Sequence, residues 1–313
     1  MLNILDLGFL SLAFMVTFTG FLINHYEKHV PAFIIKGFKY GAFAYQGSGA
    51  NYLHIIEVPK ALYRHFYAFS SIFSISTLVY AVLVYYYEFT VHKYLLFILK
   101  LILEQDEASV SAAAVCIALS LLTLQCLRRC YETYFLQVFA KDSKMNLSHY
   151  IAGLVHYFAV IVAAVGQGPL FCGSQDREKI VWIDRRTKFL SIPCILIFTW
   201  AFYEQYKTNI IFANLRKDKS GNVITETHKI PHGRLFNHIS SPHRFCEIII
   251  YTVLIALIPT KTYFCIYLWV LCNQHHHQFN PVFIQTAIHA HVWYKNTFKE
   301  YPLKRDAIFP GIL

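Results

Sequence analysis

Seven apolar stretches limit what this chain can fold into. They cover residues 7–23, 66–87, 108–127, 150–165, 189–202 and 245–258, with a last one opening near Thr262. A helix needs roughly 20 apolar residues to cross a bilayer. Several of these runs are shorter, so each is predicted to extend into its flanking aromatics. Charged residues make up 15% of the chain and hydrophobic ones 56%, whereas a soluble domain carries about 25% charged residues. The pattern predicts an all-α polytopic membrane protein of about seven transmembrane helices, one membrane-embedded domain over residues 1–313. The first run has no basic residue before it and no small-residue cleavage pattern after it, so it reads as a retained span. Residues 91–103 are amphipathic and read as an interfacial helix. Beyond Thr262, His275–His277 and Asn280-Pro281 interrupt the apolar pattern, leaving either one kinked helix or two pieces.

Charge sets the sidedness. Alternate loops, beginning with residues 24–65, hold 20 of the 28 Lys and Arg residues. Basic loops stay cytosolic, which places the N-terminus outside and the C-terminus inside. The formal charge of +10 suits anionic headgroups or a phosphate-bearing ligand. Eight cysteines contain no C-x-x-C pair, and several sit inside apolar runs, so they read as small buried hydrophobes. The soluble-looking insert 215–225 centres on Lys-Ser-Gly-Asn, a turn signal that predicts a cytosolic hairpin.

The strong polar clusters all fall on the cytosolic side. Glu57 precedes the second span. It reads either as an interfacial carboxylate paired with Lys60 or Arg64, or as a partly desolvated acid that stays protonated and donates to a substrate oxygen. Arg128-Arg129 closes the third span, either as a topogenic anchor or as a bidentate phosphate binder. After the fifth span, Asn209, Phe212/Ala213 and Arg216 share a face if the helix continues, as they would on any solvated helix. His243 and Glu247 are four apart at the start of the sixth span. Ser240, Ser241 and Pro242 supply a helix start, with Ser as N-cap and Pro in the first turn. A carboxylate this close to the membrane is expensive unless used. The His275–His277 triplet carries no expectation of metal, because adjacent helical residues point different ways. No G-x-G-x-x-G after a strand, P-loop, H-E-x-x-H or G-x-S-x-G occurs.

Together these stretches resemble the steroid 5-alpha-reductase superfamily, and within it the polyprenol (polyprenal) reductase branch. The resemblance is carried by Glu57-Val-Pro-Lys, Leu127-Arg-Arg, Gln205-Tyr-Lys, Asn214-Leu-Arg-Lys, Lys229-Ile-Pro-His-Gly, Ser240-Ser-Pro-His with Glu247, and Tyr301-Pro-Leu-Lys-Arg-Asp-Ala-Ile-Phe-Pro. It runs from about Tyr40 to the end, with a C-terminal 5-alpha-reductase-like region over about 150–313. It implies a seven-helix endoplasmic reticulum enzyme that uses NADPH to reduce a conjugated double bond, here the alpha-isoprene bond of polyprenal or polyprenol in dolichol synthesis. Carried over by position, Tyr40, Arg129, Asn209, Arg216, Lys229, His243, Glu247, His291 and Tyr294 line the cofactor, with Tyr294 also at the catalytic end. Glu57 sits where the steroid enzymes hold a carboxylate at the substrate carbonyl. Three positions depart from the steroid enzymes. Cys126 stands where they carry a Tyr, which argues against a steroid and makes Cys126 a substrate-lining position. His243 replaces an Asn, and Ala42 follows Tyr40-Gly where they carry a Lys.

The chemistry agrees with this resemblance. An isolated alkene offers no electron-poor carbon to a hydride, whereas an alpha,beta-unsaturated aldehyde accepts one at its beta carbon as charge grows on oxygen. A donor at that oxygen is worth roughly 3 kcal/mol, so polyprenal is the expected acceptor. Its isoprenoid tail can stay in lipid. The other readings are a steroid or trans-2-enoyl reductase and, outside enzymes, a small transporter. Against a transporter, the charges cluster at span ends on one side and no repeat appears.

Overall fold

In a computed structural model, the residues described are 1–31, 34–35, 57–139, 143–172, 176–218, 220, 222–225, 229–273, 285–302 and 304–311, with backbone alone at Asn24, Asn273 and 285–290. Nine α-helices of eight or more residues lie among them: α1 (Ile4–Tyr26), α2 (Tyr63–Tyr86), α3 (Lys93–Leu103), α4 (Ala112–Tyr131), α5 (Leu147–Gly166), α6 (Arg185–Asn214), α7 (Pro242–Leu257), α8 (Lys261–Asn273) and α9 (Gln285–Thr297). Four helical segments, Ile4–Ile23, Lys60–Tyr86, Ala112–Leu136 and Leu147–Gly166, are long and apolar enough to cross a membrane. Phe14, Ile72, Ile192 and Leu196 point outward, each more than 60% exposed, as side chains facing lipid do. The protein is an all-α polytopic membrane protein.

Each predicted span coincides with a helix, and the differences lie at the ends. The third begins at Ala112 instead of 108, because Ser111 caps it by accepting from the Ala114 amide at 3.4 Å. Two further amides of that first turn, at Ala112 and Ala113, donate to the carbonyls of Val181 and Trp182. Such first-turn donors have no partner within their own helix. Ser111 Oγ also donates to Asp184 Oδ1 at 2.8 Å, and Asp184 is the N-cap of α6. The starts of α4 and α6 are thereby one structure.

The amphipathic segment is indeed a helix, α3, burying Leu99 and Leu103. At the N-terminus Asn3 forms a capping box with Asp6 and donates through Nδ2 to the Leu103 carbonyl and Thr262 Oγ1. One residue thus holds α1, α3 and α8. Beyond the end of α5, a Cβ on Gly168 would lie 2.5 Å from Tyr85 Oη and 2.6 Å from Val115 Cγ2. Only glycine lets α2 and α4 close there.

Helix α6 packs along α7, α2 along α4 and α1 along α8. A short antiparallel pair, β1 (Glu57–Pro59) with β2 (Lys144–Asn146), sets Glu57 opposite Asn146 and joins the entrances of α2 and α5. The expected hairpin is present as a bridge between Lys217 and Val223, closed by Ile224 N donating to the Arg216 carbonyl. The region past Thr262 is described as two helices, α8 and α9; His275–His277 and Pro281 lie outside the described residues.

Candidate active site

The C-terminal ends of α4 and α6 and the N-terminal end of α7 meet in a buried polar network built from one long interhelical ladder. On α6, Gln205 Nε2 donates to Glu247 Oε2 at 2.5 Å and to the His243 carbonyl at 2.9 Å. On α4, Gln125 Nε2 donates to Gln205 Oε1 at 3.1 Å and to Glu247 Oε2 at 3.3 Å. Arg128 donates to Gln125 Oε1 at 2.8 Å, to the Phe202 carbonyl at 2.7 Å and also to Gln205 Oε1. The expected shared face of His243 and Glu247 is therefore the face that meets Gln205.

One turn further along α4, the backbone widens into a π-type turn over Glu132–Leu136, a distortion common at functional sites. It brings Glu132, 0% exposed, inward against two helices. Arg129 Nη1 donates to Glu132 Oε2 at 2.5 Å, Asn209 Nδ2 donates to the same oxygen at 2.8 Å, and Arg128 stands 3.6 Å from Oε1. Arg129 Nη2 also donates to Tyr67 Oη at 3.0 Å. Both arginines of the pair thus turn into the fold and meet a carboxylate. A buried charge is tolerable only with such partners.

A second cluster is formed by the C-terminal segment. Ser240 Oγ lies 2.6 Å from His291 Nδ1 and 2.5 Å from Tyr301 Oη, and donates to the Asp306 carbonyl at 3.0 Å. Tyr294 stacks on Tyr301 with ring centres 5.4 Å apart. Arg216 and Arg305 both act on Tyr294 electrostatically, and Arg216 and Arg244 both act on Lys60. The C-terminal cluster and the basic rim at Lys60, Arg216 and Arg244 are therefore neighbours.

Of the residues singled out from sequence, Arg129, Asn209, His243 and Glu247 lie in or directly against the first network, and His291 and Tyr294 in the second. Arg216 lies just past the end of α6, not on it, and donates to the Val138 carbonyl at 2.7 Å. Ser241 is the N-cap position of α7 with Pro242 following, but its hydroxyl makes no capping bond. Ser240 holds the C-terminal segment instead. Glu57 is partly buried beside Lys144, 3.7 Å from its Nζ. Cys126 is fully buried and faces Ser70 and Ser74 of α2. Lys229 is exposed and belongs to neither cluster. Tyr40 lies outside the described residues.

Sequence reasoning passed over Gln125, Gln205 and Glu132 as site residues. Their signal was an amide or acid carried within or at the end of an apolar run, where such groups need partners.

The site's donor set fits a large anionic cofactor. Ser241 Oγ, His243 Nδ1, and Arg305 Nε and Nη1 are buried and have no hydrogen-bond partner among the described residues. Buried polar atoms left in this state are rare in finished folds. Arg305 is 3% exposed and stacks its guanidinium 5.2 Å over the Tyr301 ring. Together with Arg216 and Lys60 at the rim, these groups could bind phosphate and ribose oxygens.

Known proteins resemble the whole chain. It is 35% identical over 318 residues to a polyprenal reductase of Drosophila melanogaster, spanning 100% of this chain and 94% of that one. It is 30% identical to a polyprenal reductase of Xenopus tropicalis, over 83% and 82% of the two chains. To one of Caenorhabditis elegans it is 29% identical, over 97% and 94%. A family profile described as 3-oxo-5-alpha-steroid 4-dehydrogenase matches residues 143–313, the half that contributes β2, α5 to α9 and the C-terminal cluster. The chain belongs to the 3-oxo-5-alpha-steroid 4-dehydrogenase family of oxidoreductases.

Proposed function

We propose that this chain is an NADPH-dependent polyprenal reductase of the endoplasmic reticulum membrane, with its N-terminus lumenal and its C-terminus cytosolic. It would supply dolichal to the dolichol used in protein N-glycosylation. The observation that carries this reading is the 35% identity, over all of this chain, to a relative named polyprenal reductase. The architecture supports it. A lipid-facing helical body carries a polar site at one end, so an isoprenoid aldehyde can present its head from the bilayer while a water-soluble cofactor enters from the aqueous side.

Bound NADPH supplies the hydride. The residues proposed to hold it are Tyr40, Arg129, Asn209, Arg216, Lys229, His243, Glu247 and His291, with Tyr294 beside them at the reacting end. Arg216 supplies charge at the rim. Glu132 ties Arg129 to Asn209 and so keeps the ends of α4 and α6 in register. Glu57 and Tyr294 are the proposed catalytic residues and Cys126 lines the substrate side. As hydride adds at the beta carbon, electrons shift to the aldehyde oxygen and the alpha carbon takes a proton. Glu57, donating as the neutral acid, and the adjacent Lys144 ammonium would stabilise the oxygen's charge.

The test is turnover by membranes containing this chain, supplied with NADPH and with polyprenal, polyprenol or a 3-oxo-4-ene steroid in parallel. Product from polyprenal alone establishes the reading and the aldehyde mechanism together. Product from the steroid alone keeps the family and removes the substrate. No turnover combined with no NADPH binding removes the function.

A further inference from the structure

A second polar group lies deeper in the bundle, outside the network described above. His156 is the tenth residue of the twenty in α5, and its Nε2 lies 2.6 Å from Tyr251 Oη on α7. His156 Nδ1 is buried and has no hydrogen-bond partner among the described residues. An imidazole at mid-span is costly, and this one makes a single polar contact. With its hydrogen on Nε2, the imidazole donates to Tyr251 Oη and leaves Nδ1 as the unpaired acceptor. The phenol's own hydrogen is then left for a third group.

Its surroundings show where that hydrogen can go. Tyr251 is 4% exposed, lies one turn below Glu247 on α7, and has Glu247, Cys126, Tyr263 and Tyr67 as its electrostatic neighbours. Tyr157 shares Glu247, Cys126 and Tyr67. These side chains gather between the polar network and the lipid-facing body, on the path that an isoprenoid aldehyde would take under the proposed function.

We infer that Tyr251 is the acid that protonates the substrate's alpha carbon, with His156 as the residue that positions its hydroxyl and restores its proton. This rests on the polyprenal reductase reading. After hydride addition the enolate's electron pair forms the alpha C–H bond as the Tyr251 O–H bond breaks. The phenolate then takes the Nε2 proton as Nδ1 takes one from water, so the ring stays neutral and hydroxide is left to the solvent. Glu57 keeps its separate task at the oxygen. Tyr67 is the rival donor, because its oxygen accepts from Arg129 and leaves its own hydrogen free in the same way; single variants separate the two.

The test compares wild type with Tyr251→Phe, Tyr67→Phe, His156→Gln and His156→Phe in membranes, using polyprenal and NADPH in D2O with a borohydride quench. Wild type should place one deuterium stereospecifically at the alpha carbon. Tyr251→Phe should lower kcat about 100-fold, scatter the deuterium between both alpha positions, and leave KM and the NADPH Kd within about twofold. His156→Gln, which keeps an N–H donor, should retain more turnover than His156→Phe. Stereospecific, undiminished turnover by Tyr251→Phe overturns the inference. So does loss of NADPH binding in that variant, or the same signature confined to Tyr67→Phe. An inert wild type overturns the functional reading, and this inference falls with it; an active wild type with a normal Tyr251→Phe overturns this inference alone.

Discussion

Gln205 and Glu247 face each other across the α6–α7 interface, the amide donating to the carboxylate at 2.5 Å. The same side chain accepts from Gln125 and Arg128 through Oε1 and holds the His243 carbonyl. A neutral amide can do this because it offers two donors and an acceptor at once. Replacing Gln205 with Leu takes a partner from four groups, the Glu247 carboxylate, the His243 carbonyl, Gln125 and Arg128. The expected loss is about 2–3 kcal/mol of stability and at least a tenfold weaker NADPH affinity, read by thermal unfolding in detergent and by nucleotide titration.

Glu132 balances two arginines with 0% of its own side chain exposed. Glu132→Gln leaves Arg128 and Arg129 without their carboxylate, and breaking a buried pair from one side costs about 3 kcal/mol or more. The unfolding midpoint should drop sharply. The double variant Glu132→Gln with Arg129→Gln should recover part of that loss. A double loss equal to the sum of the Glu132→Gln and Arg129→Gln losses measured singly would show that the pair is not coupled.

Glu57 has a separate expected phenotype. Glu57→Gln keeps the side chain's shape and should retain NADPH binding while losing most turnover of polyprenal. Single-turnover rates at saturating cofactor measure this, and an unchanged rate removes Glu57 from the mechanism.

At the opposite end, Asp184 accepts from Ser111 and Thr187 beside Arg186. Burial alone would raise its carboxyl, but those hydrogen bonds and the arginine's charge outweigh burial and hold it at about 2, against 3.8 for an unperturbed aspartate. A carboxyl lowered on folding stabilises fully above its unfolded value and loses that contribution as pH falls through the folded one. Asp184→Asn should therefore lower the unfolding midpoint at pH 5 to 7. The gap from wild type should close between about pH 4 and pH 2. A gap independent of pH would mean that geometry, not charge, links the two caps. Ser111→Ala should cost about 1 kcal/mol through the lost cap.

The spans were readable because lipid demands long apolar runs, and residues such as Phe66 and Val160 announce themselves in that way. Pairings across distance were not. Nothing near Glu57 specifies Asn146 as its strand partner, and the neighbours expected for Glu57, Lys60 or Arg64, gave way to Lys144, contributed by that strand. The Ser240-Ser241 pair looked like a cap because local spacing favours one. The hydroxyl of Ser240 went instead to a histidine and a tyrosine more than 50 residues away. His243 and Glu247 could be placed on one face by their spacing of four, yet the amide joining them comes from another helix and leaves no local trace.

Helix α7 has 16 residues, about 24 Å of rise, and is bounded by Ser241 and Ile258, whereas hydrocarbon is about 30 Å thick. Either the leaflet dips beside it or its polar end sits beneath the average phosphate plane. Under the proposed function, a dinucleotide reaching Glu247 would bring its nicotinamide end below the level of the lipid headgroups while its phosphates stay among them. On that reading bilayer thickness would become a variable of cofactor affinity, with a membrane a few ångströms thinner than average binding the nucleotide best.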